Sequence, residues 1–312
     1  MKPIRGGLLS GVGVVGALLA LSPAVSWAAY PGANGLIAYS TGDIYRSSSS
    51  GEIFTISPAG GDPTQLTDNA IADTEPSWSA DGRRLTFIRG SAYIDQSQNV
   101  WTMSADGTDQ RQVTHRATPE SSPSFSPGGA RIVMTRGWNT QGNIVIVRTD
   151  GTDPVRLTSD REARDPAFSP NGRRIVFSGA PREERERGIW VMRRDGTHKR
   201  LLRANPNADN PDFDPDGSHI VFHRVSNCDG HTCDDDVILM RSDGRRKRAI
   251  TDIAKEPVFS PNGHRIAAAW FSCDALTETC HSKLLTFDRH GTDGRVVTDS
   301  IASPSWQPIP QP

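Results

Sequence analysis

Residues 165–177 read Asp-Pro-Ala-Phe-Ser-Pro-Asn-Gly-Arg-Arg-Ile-Val-Phe, and this pattern decides the fold because it recurs along the chain. Related segments begin at Glu75, Ser122, Asn210 and Glu256, and a shorter one at Ser303. Their prolines stand at positions 76, 123, 166, 211, 257 and 304, so successive copies are 47, 43, 45, 46 and 47 residues apart. A regular period near this length indicates a repeat architecture.

A second motif follows the first in each period: a strand-like run, a glycine turn, and a short run that often ends in Thr. The turn glycines are Gly60 or Gly61, Gly107, Gly151, Gly196, Gly244 and Gly291. Glycine has no Cβ and tolerates the positive φ that tight hairpins require. Each period therefore predicts four short antiparallel strands, which we letter a to d in chain order.

Sheets of this size cannot bury both faces alone, but radial stacking covers each sheet with its two neighbours. We predict an all-β fold, a six-bladed β-propeller with four antiparallel strands per blade. The predicted blades lie near residues 31–69, 70–117, 118–162, 163–206, 207–252 and 253–300, with a closing strand at 301–308. The first blade lacks its own strand a, so we expect residues 302–307 to pair beside residues 35–40. The C-terminal strand would thus complete the N-terminal blade and remove an exposed edge.

The N-terminus predicts export. Lys2 and Arg5 precede an apolar run from Leu8 to Leu21, and Ser26 and Ala28 are the small residues that a signal peptidase reads. We predict a secretory signal peptide over residues 1–28 and a propeller over residues 29–312, in a secreted protein that is extracellular or periplasmic. The apolar run is shorter than the roughly 20 residues that span a bilayer, so no transmembrane segment is expected after cleavage.

The charge balance of the chain argues against one class of binding partner. The chain has 35 Lys and Arg against 36 Asp and Glu, and residues 1–28 contain two basic and no acidic residues, which leaves 33 against 36, a net charge of −3. Wholesale nucleic-acid binding is therefore not expected. We expect a monomer that binds a protein or a glycan.

The motif Pro-Ser-Trp-Ser-x-Asp-Gly-x-x-Leu-x-Phe, followed by a strand and Asp-Gly-x-x-x-x-x-Leu-Thr, resembles the TolB-type β-propeller repeat, which is WD-like in architecture. The resemblance covers residues 31–307 and implies six blades. It implies little about activity, because such repeats occur in periplasmic translocation proteins, surface-binding proteins and the non-catalytic half of some peptidases. The signal peptide leads almost directly into the first blade, so we expect the N-terminal α/β domain of TolB proper to be missing.

The residues just before the motif prolines are expected to meet around the central axis. The polar ligand candidates among them are Glu75, Asp165, Asn210 and Glu256. Three carboxylates and an amide suit a hard cation such as Ca²⁺. The alternative is that they cap backbone amides or line a water-filled channel. No cofactor is otherwise indicated.

The loops between strands b and c should lie on the same face as this ring. Candidate binding residues there are Tyr45, Tyr93, Trp138, Asp234, Asp235 and Asp236. Four cysteines, Cys228, Cys233, Cys273 and Cys280, also fall in these loops, and export favours disulfides over a zinc site. Bridges within each loop, Cys228 with Cys233 and Cys273 with Cys280, and bridges between the two loops are both open.

The turns between strands c and d collect cations in the fourth and fifth blades. They are Arg193, Arg194, Lys199, Arg200, Arg241, Arg245, Arg246, Lys247 and Arg248. This surface suits a polyanion such as an acidic glycan, or is simply solvated.

No nucleophile elbow, zinc-protease helix, phosphate loop or dinucleotide fingerprint occurs in residues 29–312. We therefore expect a non-enzymatic protein- or glycan-binding scaffold that acts through its loop face. The alternative is a metal-assisted polysaccharide lyase or hydrolase that uses the axial funnel.

Overall fold

The computed structural model is a six-bladed β-propeller in which every sheet has four antiparallel strands. It describes residues 31–41, 51–90, 98–137, 142–159, 162–180, 186–227, 234–273, 280–299 and 302–310. The predicted signal peptide, Tyr45, Tyr93, Trp138, Cys228 and Cys233 lie outside these ranges. Among the described residues, no helix is long and apolar enough to cross a membrane.

The 24 strands fall into six blades, numbered here by the order in which their strand b occurs. Blade 1 comprises β24 (Ala302–Ile309), β1 (Ala33–Ser40), β2 (Ile53–Ile56) and β3 (Thr64–Gln65). Blade 2 comprises β4 (Asp73–Trp78), β5 (Arg84–Arg89), β6 (Asn99–Ser104) and β7 (Arg111–Gln112). Blade 3 comprises β8 (Glu120–Phe125), β9 (Arg131–Arg136), β10 (Asn143–Arg148) and β11 (Val155–Arg156).

The remaining three blades follow the same order from strand a to strand d. Blade 4 comprises β12 (Ala163–Phe168), β13 (Arg174–Gly179), β14 (Gly188–Arg193) and β15 (Arg200–Ala204). Blade 5 comprises β16 (Ala208–Phe213), β17 (His219–Ser226), β18 (Asp234–Arg241) and β19 (Arg248–Thr251). Blade 6 comprises β20 (Lys255–Phe259), β21 (Arg265–Cys273), β22 (Cys280–Asp288) and β23 (Arg295–Asp299).

The predicted ring closure is confirmed. β24 pairs antiparallel with β1, and Trp306 stands opposite Ile37 and Ser305 opposite Ala38. The C-terminal strand therefore supplies strand a of the N-terminal blade, and the two chain ends share one sheet. This pairing gives the chain a closed ring in place of an exposed edge strand.

The core lies between the blades. The motif aromatics at the end of each strand a are all buried: Trp78, Phe125, Phe168, Phe213, Phe259 and Trp306. Each packs with apolar residues of a neighbouring sheet, as Trp78 does with Ala38 and Ile53 of blade 1. Burial of large apolar side chains is the main stabilising contribution to such a fold.

In blades 2 to 6 the glycine of the c–d turn packs closely against the preceding blade. Gly151 has a φ of 85°, and a Cβ placed on it would lie 2.4 Å from the carbonyl oxygen of Val113 in the preceding blade. Both the left-handed conformation and the contact require glycine. The turn glycines of the repeat are therefore packing residues as well as turn formers.

Candidate functional site

A bulge at the start of strand a directs one side chain of each blade towards the axis. In blade 2 the pairing of β4 with β5 is interrupted between Thr74 and Ser77, where Glu75 and Pro76 lie. Proline has no N–H to donate to the ladder, so the strand bulges there. Glu75 has a φ of 53°. The equivalent residues of the other blades share this conformation: Ser122, Asp165, Asn210, Glu256 and Ser303.

These six residues, which we call the axial ring, line one cavity of about 400 Å³. The predicted convergence of Glu75, Asp165, Asn210 and Glu256 on the axis is thus what the structure shows. The motif prolines and the following residues form the walls of this axial funnel, which reaches down to Trp78, Phe168, Phe259 and Trp306. Among the described residues that line it, none is Lys, Arg or His.

Acidic and neutral residues alternate around the axial ring. Glu75, Asp165 and Glu256 belong to blades 2, 4 and 6, and each carboxylate accepts a hydrogen bond from the backbone N–H of the ring residue in the next blade. The distances from carboxylate oxygen to nitrogen are 2.5 Å to Ser122, 3.4 Å to Asn210 and 2.6 Å to Ser303. The carboxylates therefore cap backbone amides and keep further lone pairs for a ligand.

The ring carboxyls are held in an environment that opposes their ionisation. Burial raises the pKa of Glu75 to about 7, against the N–H of Ser122, with further repulsion from Glu256 and Asp165. Burial also raises the pKa of Glu256, and burial together with the charge of Asp209 raises that of Asp165. One counter-charge stands beside Asp165, because the Arg164 Nε lies 3.6 Å from its Oδ2. A cation in the funnel would relieve the remaining repulsion.

A fourth carboxyl lies deeper in the funnel. Asp212 follows Pro211 on strand a of blade 5, where the neighbouring blades 4 and 6 have Ala167 and Val258. Its Oδ2 accepts the backbone N–H of Phe259 at 3.5 Å, and burial raises its pKa to about 7. Sequence reasoning missed this residue, although the repeat shows an acid at a position that is otherwise small or apolar.

The buried indoles at the base of the funnel have unused donors. In the described part of the chain, the Nε1 atoms of Trp78 and Trp306 have no hydrogen-bond partner. Both residues line the funnel, and they belong to the adjacent blades 2 and 1. A buried donor without an acceptor is unfavourable. Both nitrogens are shielded from solvent, so they lie in the packing behind the funnel wall and are not presented to a ligand.

A charged network flanks the axial ring in blade 5. His223 is buried on β17, and its Nδ1 lies 2.6 Å from Asp209 Oδ1 while its Nε2 lies 3.0 Å from Asp235 Oδ1. Asp235 also contacts the Lys255 Nζ at 3.2 Å. Burial alone would lower the pKa of His223, but the two carboxylates raise it to about 9. His223 is therefore a fixed cation at neutral pH, and the sequence signal for it was its place opposite Asp209 in the repeat.

The structure corrects the expected position of the acidic run at 234–236. These residues begin strand β18 and do not lie in a loop. Asp236 is buried and bound by Arg224 and Ser226, and Asp235 is bound by His223 and Lys255. Asp234 accepts a hydrogen bond from Asn227. Alternate residues of a strand face opposite sides, so the three carboxylates do not form one exposed patch.

The cysteines of blade 6 also stand at strand ends. Cys273 ends β21, Cys280 begins β22, and the two are directly opposite in the ladder. Opposite residues in antiparallel strands have Cα atoms about 4.5–5.5 Å apart, which is within the range of a disulfide. Their bridge remains a prediction, now with a backbone register that suits it, and the pairing of Cys228 with Cys233 falls outside the described residues.

Within the described ranges, Asp214, Asp216 and His219 are the group of three whose ligand atoms lie within 4.8 Å of one another. They lie in the a–b turn of blade 5, at the other end of the blade from the axial ring. Asp214 accepts the backbone N–H of His219 at 2.9 Å and contacts the Arg289 Nη2 at 3.1 Å. The contacts of this group therefore stabilise the a–b turn. The ring carboxylates are not part of a cluster this tight.

Comparison with known proteins agrees with this architecture. The sequence model of the TolB beta propeller domain matches residues 28–209. No curated protein is significantly similar to the chain in sequence.

Three solved structures illustrate the likeness in fold. TolB from Acinetobacter baumannii is 16% identical with a TM-score of 0.72, over 88% of this chain and 67% of that one. A putative TolB from Agrobacterium tumefaciens is 18% identical with a TM-score of 0.63, over 85% and 89%. An oligogalacturonate lyase in complex with manganese is 14% identical with a TM-score of 0.53, over 85% and 82%. At these identities the likeness is one of fold.

Proposed function

Because the TolB β-propeller model matches more than half of its length, the chain belongs to that family, and on this premise we propose that it is a non-enzymatic scaffold that binds a cationic segment of a partner protein in its axial funnel. The observation that carries the proposal is the convergence of Glu75, Asp165 and Glu256 on one cavity without a lining cation in the described residues. TolB-like propellers are protein-binding scaffolds in general. We place this one in the cell envelope, in line with its predicted signal peptide.

The chemistry of the funnel favours a peptide. Its rim offers carboxylates to an ammonium or guanidinium group, and its walls are proline rings that an aliphatic stem can cover. Since a bound cation favours the ionised carboxylates, binding should weaken as the pH falls below 7.

The test is fluorescence anisotropy with a labelled tetralysine peptide at pH 8, with acetylated tetralysine as the uncharged probe. The funnel variant Glu75→Gln, Asp165→Asn, Glu256→Gln should bind at least about tenfold more weakly, because three charge-assisted contacts are removed. A matched variant, Asp62→Asn, Asp109→Asn, Asp153→Asn, removes three exposed carboxylates from c–d turns and should bind like the parent. Equal loss in both variants, or no binding by the parent, would refute the proposal.

Ca²⁺ is the second candidate occupant, because hard carboxylate oxygens are its preferred ligands. The observation in its favour is that burial, with a smaller contribution from repulsion by Glu256 and Asp165, raises the pKa of Glu75. Thermal melting with Ca²⁺ and with chelator tests it, since a ligand selective for the native state raises stability. Ca²⁺ should raise the melting temperature of the parent and leave that of the funnel variant unchanged.

The lyase alternative receives no comparable support from the described residues. An acidic sugar would meet like charge at the axial ring, and none of the described histidines lines the funnel. Both ring nitrogens of the buried His223 are hydrogen-bonded, one to Asp209 and one to Asp235. A spectrophotometric assay for unsaturated products from polygalacturonate with Mn²⁺ would revive this alternative if it showed turnover.

A further inference from the structure

The c–d turns of blades 4 and 5 carry a dense set of exposed cations. Residues 193–200 read Arg-Arg-Asp-Gly-Thr-His-Lys-Arg, and residues 241–248 read Arg-Ser-Asp-Gly-Arg-Arg-Lys-Arg. The Arg and Lys residues of these two segments, which we call the cationic patch, number nine, and the segments contain two acids, Asp195 and Asp243. Eight of the nine are exposed, and Lys199 is half-buried.

The other blades show that the turn itself does not require these cations. The residue after the turn Thr is left-handed in blades 2, 3 and 6, where it is Asp109, Asp153 and Asp293 with φ of 54°, 51° and 51°. In blade 5 the same position is Arg246, with φ of 50°. Asp is several-fold enriched in this conformation and Arg is not. Blade 5 thus places a cation where the repeat favours an acid.

The neighbouring position shows a second departure. In blades 2, 3 and 4 the turn Thr donates its hydroxyl to the turn Asp, as Thr108 does to Asp106 at 2.6 Å. In blade 5 this Thr is replaced by Arg245, whose backbone N–H still donates to Asp243 but whose side chain has no hydroxyl to add. The turn gives up a hydrogen bond and gains an exposed guanidinium, a substitution that the fold does not explain.

The two turns form one surface. Gly244 of blade 5 is packed on Leu202 of blade 4, and the Arg200 Nη1 donates to the carbonyl oxygen of Asp243 at 3.4 Å. Partial burial and the charges of Arg203 and Arg224 lower the pKa of Lys247. Among the described residues, the ion pair within 4.0 Å that involves the patch joins Arg241 to Asp243, at 3.8 Å. Like charges are therefore held together with little compensation.

We propose that the cationic patch is a second binding site, for an acidic polysaccharide that lies across blades 4 and 5. Seven of its nine cations are arginines. A guanidinium group can form two parallel hydrogen bonds with one carboxylate or sulfate group. The segments contain no Phe, Tyr or Trp for stacking on bases. They also contain none of the large apolar side chains that are exposed among the described residues and could insert into lipid. The axial ring lies at the start of strand a, and the c–d turns follow the end of strand c. Strands a and c run in the same direction, so the cationic patch lies at the opposite end of the blades from the axial ring.

The experiment measures binding of fluorescently labelled polygalacturonate and dextran sulfate to the full chain at low and physiological ionic strength. The patch variant Arg245→Thr, Arg246→Asn, Lys247→Gln restores residues that the turn tolerates and removes three charges. The control variant Arg111→Gln, Arg148→Gln, Arg156→Gln removes three exposed charges from blades 2 and 3. The patch variant should bind at least about tenfold more weakly than the parent, because it loses several direct ion pairs with the polysaccharide. The control should bind within about twofold of the parent, because salt screens the long-range effect of a change in net charge.

Three results would overturn the proposal. They are no binding of either polysaccharide by the parent, equal loss in both variants, and tighter binding of a 20-nucleotide single-stranded DNA or of phosphatidylglycerol vesicles than of the glycans. The funnel variant should bind the glycans like the parent, so failure at the patch and failure at the funnel are separable. Both variants are checked by thermal melting, and loss of glycan binding with an unchanged melting temperature is the expected result.

Discussion

Replacing Glu75 by Gln should stabilise the free protein at pH 8 while weakening cation binding. Burial and neighbouring acids raise the pKa of this carboxyl from 4.5 to about 7 in the fold. The folded state therefore holds the proton more tightly than the unfolded chain. Its contribution to stability is fully present below pH 4.5, decreases as the pH rises to about 7, and is constant above that.

The magnitude follows from the two pKa values. At 1.36 kcal/mol for each pKa unit, ionising Glu75 in the funnel rather than in the unfolded chain costs about 3 kcal/mol above pH 8. The side chain is half-buried, so solvent reduces this to about 1–3 kcal/mol. Gln has the same shape and can still accept the Ser122 N–H, so the cap is retained. For a chain of this size the gain corresponds to about 2–5 °C in melting temperature.

The assay is urea denaturation and thermal melting of parent and Glu75→Gln at pH 4, 6 and 8, without added metal. The stability difference should be near zero at pH 4 and should grow to its full value at pH 8. Asp109→Asn, at an exposed left-handed position, is the control and should show the same small difference at each pH. A Glu75→Gln protein that is less stable than the parent at pH 8, or equally shifted at pH 4 and 8, would refute the reasoning.

Three further predictions concern the scaffold. Gly151→Ala should lower the free energy of unfolding by about 2–3 kcal/mol, because the added Cβ would clash with the neighbouring blade and the φ of this residue is positive. The control Gly128→Ala places its Cβ in open space and should change the free energy little, as measured by urea denaturation. His223→Gln should lower the free energy of unfolding by about 2 kcal/mol at pH 6. This loss should disappear as the pH rises from 6.5 through 9, because the stability that comes from a raised histidine pKa is lost over that interval, and denaturation at pH 6 and pH 10 tests this. Deleting residues 302–312 should lower the melting temperature by more than about 10 °C, whereas deleting residues 310–312 should leave it unchanged, because only the former removes the closing strand.

The repeat predicted the fold because every blade repeats the same turn and proline. Its offsets also placed the axial ring, since equivalent positions in a closed ring face the axis together. The alternation of acid and neutral residues was visible in the order Glu75, Ser122, Asp165, Asn210, Glu256 and Ser303. The repeat could not show that each acid caps the amide of the next blade, because that contact depends on the relative rotation of two sheets.

The acidic run at 234–236 shows where the repeat misleads. Strands b and c have six residues in blades 2 to 4 but eight in blade 5, so the repeat length predicted a loop at these positions. Aspartate is depleted in strands. Here the two extra pairs are Val225 with Asp235 and Ser226 with Asp234. The Ser226 hydroxyl and the Arg224 guanidinium both bind the Asp236 carboxylate. The ladder extends because neighbouring side chains balance the charge of the aspartates, an effect that intrinsic strand propensities do not include.

The charge of the chain is small in sum and separated in space. With 35 basic and 36 acidic residues the net charge is −1, yet carboxyls converge at the axial ring while nine cations gather at the other end of blades 4 and 5. Neither set is needed to close the ring: neutral residues fill the ring position in blades 1, 3 and 5, and Asp fills the Arg246 position in three other blades. Each set has a cost in the unliganded protein: burial raises the pKa of Glu75 in the axial ring, and burial with the nearby charges of Arg203 and Arg224 lowers the pKa of Lys247 in the cationic patch. Because both costs fall when an opposite charge binds, the two ends are expected to take ligands of opposite sign.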